Sequence, residues 1–283
     1  MKSGTWTGLM ITLLLQACGN PADLDWGYWR RDLPQSIPPP PRVVERPGEA
    51  ADSPKALIYI GQSTWLAEVD SIEDSLVALG YGYKEVVAED LVRFTEADWS
   101  HYLLLIVAGG YAPLISQEIP SDIRAQIQKR VRAEQLNYLG FCAGAWLAVS
   151  PSFPGFEDGR YGFGFLDGPI SQPGPPALSG QEFSLVDALL QSGARRKLLW
   201  WGGPIAPEVS GAGGTVIARY PEGGAAISRV KVGRNWITLS GLHPTANASI
   251  LGAIGINSPE SAASDLTAEL IQLSVAEPPL NGF

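Results

Sequence analysis

The cysteine at position 142 is the residue of this chain best placed for chemistry. The stretch from Leu136 to Leu147 reads Leu-Asn-Tyr-Leu-Gly-Phe-Cys-Ala-Gly-Ala-Trp-Leu, which predicts a short apolar strand that turns abruptly into a helix. Gly140 and Gly144 stand two residues before and after Cys142, where small residues let a strand reverse tightly, as in a nucleophile elbow. At the start of a helix, free N–H groups and the helix dipole favour a thiolate over a thiol. The segment therefore predicts a nucleophilic cysteine.

A nucleophilic cysteine needs a base, and the chain contains only two histidines. His243 follows the predicted strand from Trp236 to Ser240, and Pro244 after it stops any helix and restrains the backbone beside the imidazole. Cys–His pairs are usually close in space and distant in sequence. His243 is therefore a candidate base, the alternative being a loop histidine with a bonded ring nitrogen. His101 opens an apolar run and is interpreted as a strand-end residue.

Apolar runs and helical patterns alternate along the part of the chain that must position these residues. This alternation predicts an α/β fold with a doubly wound, mostly parallel sheet and right-handed crossovers. Strands are predicted at 56–60, 83–88, 101–108, 197–201, 216–220, 225–232 and 236–239, and helices at 64–79, 122–134, 183–191 and 261–276.

Three motifs, in this order, resemble the class I glutamine amidotransferase-like superfamily. They are Gly109-Gly110-Tyr111, the elbow from Gly140 to Ala145, and Gly241-Leu242-His243-Pro244. Residues from about 55 to 255 are similar in particular to the domain at the N-terminus of biotin–protein ligases, which also occurs as a free-standing bacterial protein. The resemblance implies a flavodoxin-like sheet.

The same resemblance implies roles for four residues. Cys142 would be the nucleophile, His243 the base, and the backbone N–H groups of Gly110 and Ala143 the oxyanion hole. Donors of this kind each lower a reaction barrier by roughly 3 kcal/mol.

The chain departs from the family pattern at one position. The pattern is His-Pro-Glu, with the glutamate orienting the ring, but the third place here is Thr245. A hydroxyl can accept a hydrogen bond from an imidazole but cannot stabilise its cationic form as a carboxylate does. An acid from elsewhere, for example Glu118 or Asp167, could take this role, or the Cys–His dyad could work alone.

The N-terminus resembles a bacterial lipoprotein signal. Lys2 precedes an apolar core over 9–15, and Leu15-Gln16-Ala17-Cys18 resembles a lipobox. In such signals the chain is cut before the cysteine, whose sulfur receives a lipid such as palmitate; an ordinary cleaved signal or an uncleaved anchor is the alternative. Gly19, rather than aspartate, after that cysteine favours the outer membrane facing the periplasm. Cys142 would then be the only free thiol.

Four segments are predicted: a signal peptide at 1–17, a lipid-anchored proline-rich tether at 18–54, a glutamine amidotransferase-like domain at 55–276, and a tail at 277–283. A net charge of −9 and a pI near 4.8 argue against a nucleic-acid partner. No glycine motif for a nucleotide is present, and two histidines with one free cysteine argue against zinc. We expect neither a cofactor nor a metal.

These observations predict a lipid-anchored protein of the bacterial cell envelope that is a Cys–His hydrolase of a small-molecule amide or a peptide. No synthase or ligase domain accompanies the motifs, so neither amidotransfer nor biotin ligation is expected. Thr245 motivates the alternative, a non-catalytic binding or envelope-associated domain.

Overall fold

The computed structural model of the protein describes residues 45–50, 53–61, 63–133, 135–148, 162–166, 183–206, 214–256 and 264–275. Their strands are β1 (Glu45–Arg46), β2 (Lys55–Tyr59), β3 (Gly82–Val86), β4 (Leu104–Val107), β5 (Asn137–Phe141), β6 (Ser184–Leu190), β7 (Arg195–Trp200), β8 (Thr215–Arg219), β9 (Ala225–Val232) and β10 (Asn235–Ser240). Their helices are α1 (Leu66–Ala78), α2 (Ala88–Arg93), α3 (Glu96–Ser100), α4 (Ala112–Glu118), α5 (Ser121–Arg132), α6 (Ala143–Leu147), α7 (Ala248–Ala253) and α8 (Ser264–Val275).

All these strands form one mixed sheet in the order β1-β3-β2-β4-β5-β10-β9-β8-β6-β7. The five strands from β3 to β10 in that order are parallel, whereas β1 and the strands from β9 to β7 pair antiparallel. The predicted α/β fold with a doubly wound sheet is thus confirmed. Antiparallel strands on one side follow from the short turns that join β8, β9 and β10, which are too short for a crossover helix.

Helices cover both faces of the parallel strands. One face packs against α1 and α8 through buried side chains such as Ile72, Leu76 and Leu270. The opposite face packs against α4 and α5, among others, through side chains such as Ile115 and Ile127. Burial on both faces explains why the central strands are continuous apolar runs without alternation.

The carboxyl ends of four parallel strands meet at one edge of the sheet. β2 ends at Tyr59, β4 at Val107, β5 at Phe141 and β10 at Ser240. The strand order reverses at β2, because β3 lies on one side of β2 and β4 on the other. Ligands of open α/β sheets bind at such a switch point, so this edge is where a site is expected.

Two sequence-based interpretations are corrected by the structure. The sequence predicts a short helix over 183–191, but these residues contain β6, in which buried Val186 and Ala188 alternate with exposed Asp187. This period of two fits a strand, and pairing with β7 decides between the two conformations. His101 is the C-terminal capping residue of α3 instead of opening a strand.

The sequence-based segments at the chain ends lie outside the described residues. These include the signal peptide, Cys18, the tail at 277–283, and the tether up to residue 44. The last part of the predicted tether includes Glu45–Arg46, which pairs with β3 as an edge strand. Over the described ranges, no helix combines the length and apolar character needed to cross a bilayer.

Candidate active site

Cys142 stands at a strained turn between β5 and α6. Its φ of 43° and ψ of −98° make it the one residue other than glycine with positive φ in the described part of the chain. Its N–H donates to the carbonyl oxygen of Ser240 at 2.7 Å, which ties the turn to the end of β10. A Cβ on Gly140 would lie 2.5 Å from the carbonyl carbon of Gly144. The two glycines therefore permit the tight strand-to-helix reversal that the sequence predicted.

The Cys142 sulfur is buried against polar groups. The residue is 5% exposed, and its S–H donates to the carbonyl oxygen of Trp201 at 3.2 Å. Two indoles fix the loop after Trp201: Trp146 Nε1 donates to the Gly202 carbonyl at 3.1 Å, and Trp200 Nε1 to the Gly203 carbonyl at 2.9 Å. The loop that borders the sulfur is thus held on both sides.

His243 is delivered to the same edge by the turn after β10. Its N–H donates to the carbonyl oxygen of Leu199 at 2.8 Å, which anchors the turn to β7. The residue is 2% exposed. Its ring Nδ1 donates to Glu68 Oε1 at 2.9 Å. The other ring nitrogen, Nε2, is buried and has no hydrogen-bond partner among the described residues.

Glu68, in the first turn of α1, is the acid behind the histidine, and sequence reasoning missed it. Its side chain is fully buried and lies 175 residues from His243 in the chain. One oxygen, Oε1, accepts hydrogen bonds from His243 Nδ1 and from the hydroxyl of Thr245, and the other, Oε2, accepts one from the Gly109 N–H. Three donors surround this carboxylate. They fix its orientation and satisfy oxygen atoms that burial without partners would leave unpaired.

A signal for Glu68 was present in the sequence. The apolar positions of α1 include Val69, Ile72 and Leu76, and Glu68 precedes Ile72 by four residues and Leu76 by eight. Residues four apart share a helix face. An acid on the buried face of a helix needs a partner, and this reasoning would have selected it.

The two acids suggested by the sequence do not stand behind the ring in the described part of the chain. Glu118, at the end of α4, instead accepts hydrogen bonds from the Tyr59 hydroxyl at 3.3 Å and the Ser63 hydroxyl at 3.4 Å. This carboxylate holds the loop after β2. Asp167 lies outside the described residues.

Charge within the site keeps the imidazole protonated. Burial alone would lower the pKa of His243, but the negative charges of Glu68 and Cys142 outweigh it and raise the pKa to about 10. At neutral pH the ring is therefore a cation. A cationic imidazole near a cysteine favours the thiolate and can give a proton to a leaving group.

Gly109 can only be glycine in this arrangement. A Cβ at this position would lie 2.6 Å from Glu68 Oε2 and 2.7 Å from His243 Cε1. Its neighbour Gly110 has a φ of 150° and pairs with Thr64 in an isolated bridge. The Gly-Gly turn after β4 thus accommodates the acid and the ring.

The predicted oxyanion donors come after the neighbouring parallel strands β4 and β5. Gly110 follows β4, and Ala143 is the first residue of α6, directly after Cys142. No described residue accepts a hydrogen bond from either N–H. Two unused N–H groups beside a nucleophile can bind a developing oxyanion. No cluster of metal-ligating side chains is found in the described ranges.

Comparison with known proteins supports the fold. One solved structure of a glutamine amidotransferase is 20% identical in sequence and superimposes with a TM-score of 0.52. The match covers 71% of this chain and 99% of the chain in that structure. The chain has the glutamine amidotransferase-like fold. A putative GMP synthase subunit from Thermoplasma acidophilum is 16% identical, covers 79% of this chain and 98% of its own, and has a TM-score of 0.43. A glutamine amidotransferase from Methylobacillus flagellatus is 12% identical, with coverages of 82% and 99% and a TM-score of 0.45.

No protein-family model matches the sequence, and no curated protein shows significant similarity to it.

Proposed function

We propose that this protein is a cysteine-dependent amidohydrolase of small amides, with Cys142 as nucleophile, His243 as acid and base, and Glu68 as the residue that orients the ring. The hydrogen bond between His243 Nδ1 and the buried Glu68 carboxylate carries the proposal, because it completes the triad that Thr245 left open. The elbow supports it, as do the N–H groups of Gly110 and Ala143, for which the described part of the chain offers no acceptor.

The proposed reaction has two steps. The Cys142 thiolate attacks the amide carbonyl carbon, the oxygen charge develops toward the Gly110 and Ala143 N–H groups, and His243 Nε2 gives its proton to the leaving nitrogen. Water then attacks the thioester, His243 takes the water proton, and the free acid leaves with the sulfur restored. Glu68 stabilises the imidazolium in both steps.

We also propose the finer features that the sequence predicts. The resemblance to the biotin–protein ligase N-terminal domain, the lipid on Cys18, and the location at the outer membrane facing the periplasm all rest on sequence motifs. They would place the hydrolase beside substrates of the cell envelope, tethered by the proline-rich segment before β1.

The alternative, a non-catalytic binding domain, gains support from one observation: Cys142 is only 5% exposed, and its sulfur is hydrogen-bonded to a carbonyl. Alkylation of the full chain in detergent with iodoacetamide at pH 7 separates the two. A hydrolase labels at Cys142 in the native state, and at least about tenfold faster than its His243→Ala variant, because a cation next to the sulfur favours the thiolate. Labelling only after denaturation, or at equal rates in both proteins, favours the binding domain. Cys142→Ser is the control for site specificity.

A further inference from the structure

Three half-buried aromatic rings form a continuous surface beside the candidate active site. Trp65 and Trp201 meet edge to face with their centroids 5.4 Å apart, and Phe183 lies 5.4 Å from Trp201 at a tilt of 56°. We call these three residues the aromatic wall. Behind them lies a small buried cluster that includes Leu199 and Leu251.

Two members of the aromatic wall contact the proposed catalytic residues, Trp65 through its ring and Trp201 through its backbone oxygen. The Trp65 ring stands edge to face with the His243 imidazole at a centroid distance of 5.3 Å. The backbone oxygen of Trp201 accepts the Cys142 S–H hydrogen bond. The wall is therefore part of the lining of the site and not a separate surface patch.

The chemistry of His243 identifies which part of a substrate would meet the wall. In amide cleavage the imidazolium gives its proton to the leaving nitrogen, so this nitrogen must lie within hydrogen-bond distance of Nε2. Nε2 is buried and unpartnered in the described part of the chain. Because Trp65 borders the same ring, a substituent on the leaving nitrogen would extend along the aromatic wall.

From this geometry we propose that the preferred substrate is a secondary amide whose amine carries an apolar or aromatic ring, and that Trp65 determines this preference. The inference rests on the proposed hydrolase function and narrows its substrate class. Ammonia, the leaving group of a primary amide, has no substituent that could contact the wall. An aromatic amine would bury its ring against Trp65 and gain edge-to-face contacts with it.

The bond between the Cys142 sulfur and the carbonyl carbon forms as the carbon–nitrogen bond breaks. The proton moves from His243 Nε2 to the nitrogen, and a neutral ring-bearing amine departs. Hydrolysis of the thioester consumes one water and returns the proton to the ring.

The test compares two amides that share an acyl group, glutamine and γ-glutamyl anilide, on the full chain in detergent. For wild type, we expect kcat/KM to favour the anilide, and Trp65→Ala to reduce the anilide value by roughly 10- to 100-fold. Because Trp65 also contacts the His243 ring, the glutamine value can fall too, and the readout is therefore the anilide-to-glutamine ratio of kcat/KM, which should fall by about tenfold or more. Trp65→Phe should recover part of the loss, and Leu66→Ala, an exposed neighbour, is the matched control.

A second readout keeps the substrate preference separable from catalysis. Calorimetric titration of the Cys142→Ala variant measures binding of the two amides without turnover. Tighter binding of the anilide that is lost in the double variant Cys142→Ala, Trp65→Ala supports the substrate preference. This holds even if wild type hydrolyses neither amide, a result that would refute only the hydrolase proposal. Equal or absent binding of both amides, or an equal loss on both in Trp65→Ala, overturns the role of the aromatic wall.

Discussion

Replacement of Glu68 by glutamine tests the triad most directly. The change preserves the shape of the side chain but removes the charge of the carboxylate to which His243 Nδ1, Thr245 and Gly109 hydrogen-bond. A glutamine oxygen can satisfy only part of this set, and its NH₂ group would point at a donor. Loss of one partner from a buried ion pair costs about 3 to 5 kcal/mol, so we expect a clear drop in the free energy of unfolding.

The same substitution should change the charge of the imidazole. Without the Glu68 charge, burial weighs more heavily, and the pKa of His243 should fall from about 10 by roughly 1 to 3 units. The protein has only two histidines, and His101 is exposed at the end of α3. Titration of both rings by NMR between pH 5 and pH 11 therefore reads His243 against an exposed reference.

The hydrolytic activity of Glu68→Gln should fall along with the pKa of His243. In the serine triad, neutralisation of the acid lowers kcat by about four orders of magnitude, and we expect roughly 10²- to 10⁴-fold here because a thiolate needs less assistance. Glu118→Gln is the matched control, since that carboxylate binds Tyr59 and Ser63 and not the ring. An unchanged pKa of His243 in Glu68→Gln, or equal losses of activity in both variants, would refute the triad.

Four further predictions concern the pH dependence of stability, the packing around Gly109, a buried hydrogen bond and lipidation. The pKa of His243 in the folded state is raised from 6.5 to about 10. The stabilising contribution of this residue is therefore complete below pH 6.5 and is lost as the pH rises toward 10. In urea titrations, the difference in unfolding free energy between wild type and Glu68→Gln should shrink over that window. Gly109→Ala should destabilise the fold by about 1 to 3 kcal/mol through overpacking against Glu68 and His243, whereas Gly252→Ala in α7, with open space around it, should be neutral or gain up to about 1 kcal/mol. Tyr138→Phe removes the 2.7 Å hydrogen bond to the Gly144 carbonyl and should cost about 1 kcal/mol in a thermal melt. Cys18→Ser should abolish palmitate incorporation and release the chain from the membrane fraction; retention of both would contradict the lipobox.

Much of the fold was accessible from local pattern because the central strands are strongly apolar. Predicted strands at 56–60, 83–88 and 225–232 lie within two residues of β2, β3 and β9, since such runs have few alternatives once helices cover both faces. The prediction for 183–191 failed because apolar residues are not confined to alternate positions there, so the period of two appears in the burial of the side chains and not in the sequence. Its conformation is decided by pairing with β7 and β8, which no local pattern encodes.

The candidate site was only half accessible. Cys142 and His243 are marked by short motifs of glycine and proline, because an elbow and a strand-end turn impose their own local sequence requirements. Glu68 carries no such motif, and only its position on the apolar face of α1 marks it in the sequence. Its role depends on α1 packing over the carboxyl end of β4, a contact between segments about 40 residues apart.

The role of Thr245 in the structure thus differs from the role that the sequence suggested. The resemblance places a glutamate there, and its absence argued for an inactive domain. In the fold, the Thr245 hydroxyl donates to the Glu68 carboxylate that contacts the ring, so the acid comes from a helix and the threonine holds it. Triads are defined by geometry and not by position in the chain. A glutamate at 245 would bring a second buried carboxylate against Glu68, and like charges at this distance cannot both remain ionised. The threonine is therefore the residue that is compatible with an acid delivered from α1.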